Sequence, residues 1–159
     1  MLDELTVSAL LTSALLVACA PEPVAVDLGF PREENFLFTE SGRLVVYETS
    51  ADLGACPAIF ERIEAGAFGD PVIDSDWRPI CELRDGLRFA APEGPHAYVA
   101  LGRDGSNQII LSGCRVAEAF ADAPAIEVEL YPTDNYASST DGRTPGCANA
   151  QDKCTRGCL

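Results

Sequence analysis

The chain has 159 residues, with 25 acids against 11 bases, a formal net charge of -14 and a hydrophobic fraction of 47%. That is the size of one domain, or one domain with tails, and the surplus of acid argues against nucleic acid and anionic headgroups as partners, since both are polyanions. Seven cysteines beside a single His do not suit the reducing cytosol.

In chain order, the first feature is an uncharged run from Leu5 to Ala18. It falls short of the ~20 residues that a bilayer-spanning helix needs, but it suits the apolar core of a secretion signal. It ends on Leu16-Val17-Ala18-Cys19, which resembles the lipobox of bacterial lipoproteins. The resemblance covers the first 19 residues only, and Met1-Leu2-Asp3-Glu4 departs from it in carrying acids where such signals carry Lys or Arg. It implies cleavage after Ala18, a diacylglyceryl group on the Cys19 thiol, and acylation of the new amino terminus. Several acyl chains anchor a domain stably where one binds only marginally. Ala20 stands where this family's inner-membrane proteins carry Asp, so the resemblance implies lipid anchoring in the cell envelope, at the outer membrane.

Residues 19–34 then read as the lipidated Cys and a flexible tether, because APEPVAVDLGFPREE holds three prolines and a glycine with no sustained period. From residue 35 to 132 the pattern is one of short strands. Phe36 to Thr39 suits an edge strand, and Arg43 to Thr49 and Leu87 to Ala91 suit longer ones, the latter leading into a turn at Pro92-Glu93-Gly94-Pro95. Ala97 to Gly102 and Gln108 to Val116 flank Arg103-Asp104-Gly105-Ser106-Asn107, a hairpin whose Asp-Gly is expected to supply the positive φ of the turn. Ile126 to Tyr131 alternates apolar and acidic residues, so one face belongs in a core. Cys56 to Ala65 favours a short helix with Ile59, Phe60 and Ile63 on one face, although its alternation also permits a strand. Trp77 is expected to plug the core under its loop, with an exposed binding role as the alternative. The predicted fold class is mainly β, a small antiparallel β-sandwich with one short helix, stapled by disulfides. Residues 133–159 form a polar, Cys-rich C-terminal tail.

Without Cys19, six cysteines remain: Cys56, Cys81 and Cys114 in the domain, and Cys147, Cys154 and Cys158 in the tail. Three is odd on each side, so complete pairing requires an odd number of bridges between domain and tail. The favoured arrangement joins Cys81 or Cys56 to Cys114, places one bridge within the tail and lets one cross, among the 15 pairings that six cysteines allow. The competing reading, a zinc knuckle from C-x6-C-x3-C, lacks the usual C-x2-C spacing.

No catalytic residue is expected. His96 could serve a Ser-His-Asp or Cys-His system only beside a nucleophile elbow, and no G-x-S-x-G is present, so it reads as a strand-end surface residue. With so many acids, some carboxylate pair always lies at hydrolytic distance, which deprives that signal of specificity. Asp74-Ser75-Asp76, and Asp134-Asn135 with Asp141-Gly142, are places for calcium, but neither matches an EF-hand loop; no metal and no cofactor is expected.

Leu87 to Val116, LRFAAPEGPHAYVALGRDGSNQIILSGCRV, resembles the transthyretin-like and carboxypeptidase-regulatory-like sandwich modules through its strand, Pro-x-Gly turn and aromatic strand. That likeness implies a structural or binding role and no catalytic residues. The sequence thus describes an acylated envelope lipoprotein, bound to the membrane through its N-terminal lipid and to another envelope protein or a glycan, without nucleic acid. The alternative is a small secreted hydrolase using paired carboxylates, with calcium.

Overall fold

Val24, Val26 and Leu28 turn inward while Asp27 faces solvent, and this two-residue period makes Pro23–Gly29 a strand, β1. The computed structural model describes residues 23–50, 54–90, 94–120 and 123–157. The tether expected over residues 19–34 is therefore corrected from Pro23 onward. Pro23 stands at the first position of its strand, where a missing N–H is tolerated.

The remaining strands are β2 (Ser41–Glu48), β3 (Ile73–Asp74), β4 (Arg78–Pro79), β5 (Leu87–Ala90), β6 (Pro95–Arg103), β7 (Ile109–Glu118), β8 (Ile126–Glu129) and β9 (Tyr131–Pro132). The described helices are α1 (Glu33–Phe38), α2 (Ala55–Glu64), α3 (Ile80–Leu83), α4 (Asp134–Thr140) and α5 (Ala150–Arg156). A three-stranded sheet runs β5-β1-β8, and a six-stranded sheet runs β3-β2-β6-β7-β9 with β4 also on β2. All described pairings are antiparallel except β1 with β8.

The two sheets pack face to face as a β-sandwich. Val24, Val26, Ile126 and Val128 from the small sheet meet Leu44, Val46, Tyr98, Ala100 and Leu111 from the large one. On the other face of the large sheet, Ile59 and Ile63 of α2 cover Val45, Tyr47, Ala97, Val99 and Leu101. The centre of the large sheet is thus buried on both sides. That is why β2 and β6 carry continuous apolar runs, LVVY and AYVAL, rather than alternation.

The hairpin of β6 and β7 forms as the sequence indicates, but its positive φ belongs to Asn107 (67°) and not to Gly105. A type I turn closed by a residue in the left-handed region gives a three-residue hairpin loop. Residues 56–64 are helical within α2 and Ala65 is its C-cap, with Ile59 and Ile63 one turn apart on its buried face. Trp77 is half-buried against the α2-covered cluster, with the Arg103 guanidinium 4.4 Å above its ring. Of the expected Pro92–Pro95 turn, positions 92 and 93 lie outside the described residues.

Two further expectations are corrected. Phe36–Thr39 belongs to helix α1 and its C-cap rather than to an edge strand. The single expected helix becomes five among the described residues: α1 and α3 are added within the domain, and the polar tail folds into α4 and α5, which dock on β7 and α1 through contacts that no local apolar period announces.

Candidate functional site

Disulfides join distant parts of the fold. Cys56 of α2 bonds Cys114 of β7, 58 residues on, and fixes the helix to the sheet. Cys81 of α3 bonds Cys154 of α5 across 73 residues and is the crossing bridge that the cysteine arithmetic requires. Cys147 is also disulfide-bonded, which together with Cys154 removes two thiolates from the zinc-knuckle alternative. Cys19 and Cys158 lie outside the described residues.

Lys153, the only lysine in the chain, has a side chain 8% exposed. Its Nζ donates to the carbonyls of Leu37 and Thr39, each at 2.7 Å, and lies 3.4 Å from those of Phe36 and from Glu40 Oε1. These carbonyls form the C-terminal end of α1, where a cation is favoured, and Phe36 O also accepts from Thr39 N. Burial pushes the ammonium below its ordinary value, and Glu40 opposes that shift. In return, Glu33 of α1 accepts from Ala150 N at the start of α5, 3.0 Å away. Each helix caps the other.

Asp104 is 4% exposed. Its carboxylate accepts from Ser106 N at 2.9 Å, Gln108 N at 3.0 Å, Ser106 Oγ at 2.8 Å, and Ser139 Oγ of α4. Burial pushes this carboxyl up, but the bonds from Ser139, Ser106 and Gln108 outweigh it and hold the group below 3.8. Asp104 thereby locks the hairpin tip and pins α4 to it.

The two places considered for calcium are otherwise occupied or dispersed. Asp74 forms a two-pronged ion pair with Arg43, Nε to Oδ1 being 2.9 Å, and that bond holds its carboxyl below the ordinary range. Asn135 donates to Ile109 O at 3.2 Å. Among the described residues, no group of three or more His, Cys, Asp or Glu is placed to hold a metal ion.

His96 is corrected from a surface residue to a buried one, 2% exposed, with Nδ1 2.8 Å from Gly94 O. It is the second residue of β6, paired with Glu48 of β2 and Ala117 of β7.

His96 lines a shallow cleft with Glu48, Thr49, Ser50 and Pro95. α2, β7 and α4 enclose a cleft of about 480 Å³, with Phe60, Ile63, Leu101 and Ile109 on its floor and Glu64, Asn107, Asp134 and Asn135 on its rim. Phe60 and Ser112 also line a second cleft of about 480 Å³, which continues toward Arg115, Glu127, Glu129 and Tyr131. Sharing Phe60 and Ser112, the two clefts form one groove along β7 from Ile109 to Arg115. Tyr131 is 53% exposed and its hydroxyl donates to Glu129, whose carboxylate raises the phenol above its ordinary value. Arg115 donates to the backbone of Glu127 at 3.3 Å. With Glu64, Asp134, Glu127 and Glu129 facing a single arginine, the groove offers acceptors and repels anions.

Sequence reasoning missed the roles of Lys153, Ser139 and Phe60, and read Asp104 only as a turn residue. One signal was present for the first: a lone Lys in a chain whose other ten bases are Arg. The others depend on partners far away in sequence. Among the described residues, no helix is long and apolar enough to cross a membrane. No protein-family model matches this chain, and neither a curated protein nor a solved structure matches it.

Proposed function

We propose that this protein is a cell-envelope lipoprotein, held at the outer membrane by acyl chains on Cys19, and that it acts as a binding or structural module with the groove along β7 as its recognition surface. The carrying observation is the joint arrangement of cysteines. Leu16-Val17-Ala18-Cys19 stands just before the first strand, while Cys56, Cys81, Cys114, Cys147 and Cys154 are all oxidised. The bridges fit an oxidising compartment, and the Leu16-Val17-Ala18-Cys19 run supports lipid on Cys19.

An apolar floor under a rim of carboxylates and amides supports a partner without net negative charge, either a glycan or another envelope protein. The likeness of Leu87 to Val116 to transthyretin-like modules agrees with a role of this kind. The test is expression in a bacterial host with radiolabelled palmitate, comparing the natural chain with Cys19→Ser. The natural chain takes up label and sediments with membranes, and the variant does neither. Equal membrane association of an unlabelled natural chain contradicts the proposal.

A further inference from the structure

We infer that the end of the sandwich carrying Pro23 rests on the bilayer surface, with the exposed ring of Phe120 in the lipid interface and Trp77, at the other end, held away from it. This rests on the reading of Cys19 as the lipid anchor.

Chain length sets the first constraint. Only residues 20–22 separate Cys19 from Pro23, and four residue steps span at most ~14 Å at ~3.6 Å each. Whatever surrounds Pro23 must therefore lie close to the acyl chains.

Strand directions then decide what surrounds it. β1 runs parallel to β8, with Val26 opposite Ile126, so the segment entering β8 shares an end with Pro23. Pro23 is opposite Ala90 in β5, and Pro95 of β6 is opposite Glu118 of β7. The described surface at this end is therefore Pro23, Ala90, Gly94, Phe120, Pro124 and Ala125, five of them exposed and Phe120 at 64%, the greatest exposure of any large apolar side chain described. Its described charges are Glu48 and Glu118. Apart from these two carboxylates, the described end is built of Ala, Pro, Gly and one projecting Phe. An aromatic ring with a small apolar surround suits the interface.

The groove runs from the opposite end of β7 back to Arg115 and Glu127. Its floor residue Ile109 opens β7, nine residues before Glu118, about 30 Å away at ~3.4 Å per residue. Trp77, stacked on Arg103 at the far end of β6, is equally remote. It is the only Trp in the chain and so serves as a built-in distal reporter.

The experiment uses the full lipidated protein extracted from membranes and reconstituted in phosphatidylcholine vesicles, with and without brominated acyl chains. Flotation reads anchoring, and tryptophan fluorescence reads depth. The natural protein should float and its emission should be unaffected by bromine. Phe120→Trp, a change at an exposed position, should add a blue-shifted component that brominated lipid quenches. Flotation with no added quenching in Phe120→Trp, or with quenching of Trp77 in the natural chain, overturns the orientation but leaves the anchor intact. Failure to float overturns both.

Discussion

Lys153 Nζ lies 2.7 Å from the carbonyl oxygen of Thr39, so the last described helix of the chain caps one of its first. Cys154, the next residue, is bonded to Cys81, and Glu33 holds the first N–H of α5. Three links of different chemistry thus close the ends of the chain onto the sandwich. A polar segment that reads as a tail becomes part of the folded domain.

Replacing Lys153 with Met keeps most of the stem's packing and removes the donor. The carbonyls of Leu37 and Thr39 then lose their partner, at a cost of about 2–3 kcal/mol for charge-assisted bonds in a covered site. Urea unfolding followed by circular dichroism should show that loss. A change below about 0.5 kcal/mol, within the range of ordinary surface substitutions, would show that the cap is incidental.

Asp104 supplies a pH dependence. Its folded acidity is below 3.8, with Asp74 shifted the same way. Stability from both carboxylates is fully present above the unfolded value and is lost as the pH falls through the folded value. Asp104→Asn should cost about 1.5–3 kcal/mol near neutrality. The gap between natural chain and variant should close as the pH drops below 3.8. A gap that stays constant in acid removes the charge from the explanation.

The crossing bridge closes 73 residues. Cys81→Ala with Cys154→Ala should lower stability by about 4 kcal/mol on the chain-entropy account. Amide exchange should rise most in α5 and α1, because α5 keeps Lys153 in place. Uniform exchange across the whole domain would contradict that local role.

Gly113 of β7 lies against the backbone of β8. A Cβ there would overlap the carbonyl of Glu129, and backbone cannot turn aside as a side chain can. Gly113→Ala should therefore destabilise by about 1–3 kcal/mol. A thermal melt unchanged from the natural chain would mean that β8 has room to shift.

The mainly β class, the β6–β7 hairpin and helix α2 were legible because local period and turn chemistry act within a few residues. The half-buried strand β8 was legible for the same reason: Ile126 and Val128 alternate with Glu127 and Glu129. β1 was obscured by Pro21, Pro23 and Pro31, although Val24 and Val26 carried its period. α1 reads as apolar and extended through Phe36 and Phe38. What ends it as a helix is a lysine 114 residues beyond Thr39. The groove was not legible because Phe60, Ser112 and Tyr131 meet only after α2 and β9 dock on β7. The parity of the cysteines, by contrast, required a crossing bridge before any geometry was known.

The central claim is that Cys19 carries lipid and the other cysteines carry the fold. Intact mass of the protein extracted from membranes, followed by sequencing of its N-terminal peptide, tests it most directly. The account predicts a chain beginning at Cys19, heavier than its amino-acid mass by a diacylglyceryl group, with no free thiol. A soluble chain that retains residues 1–18, or whose Cys19 is unmodified, would contradict it.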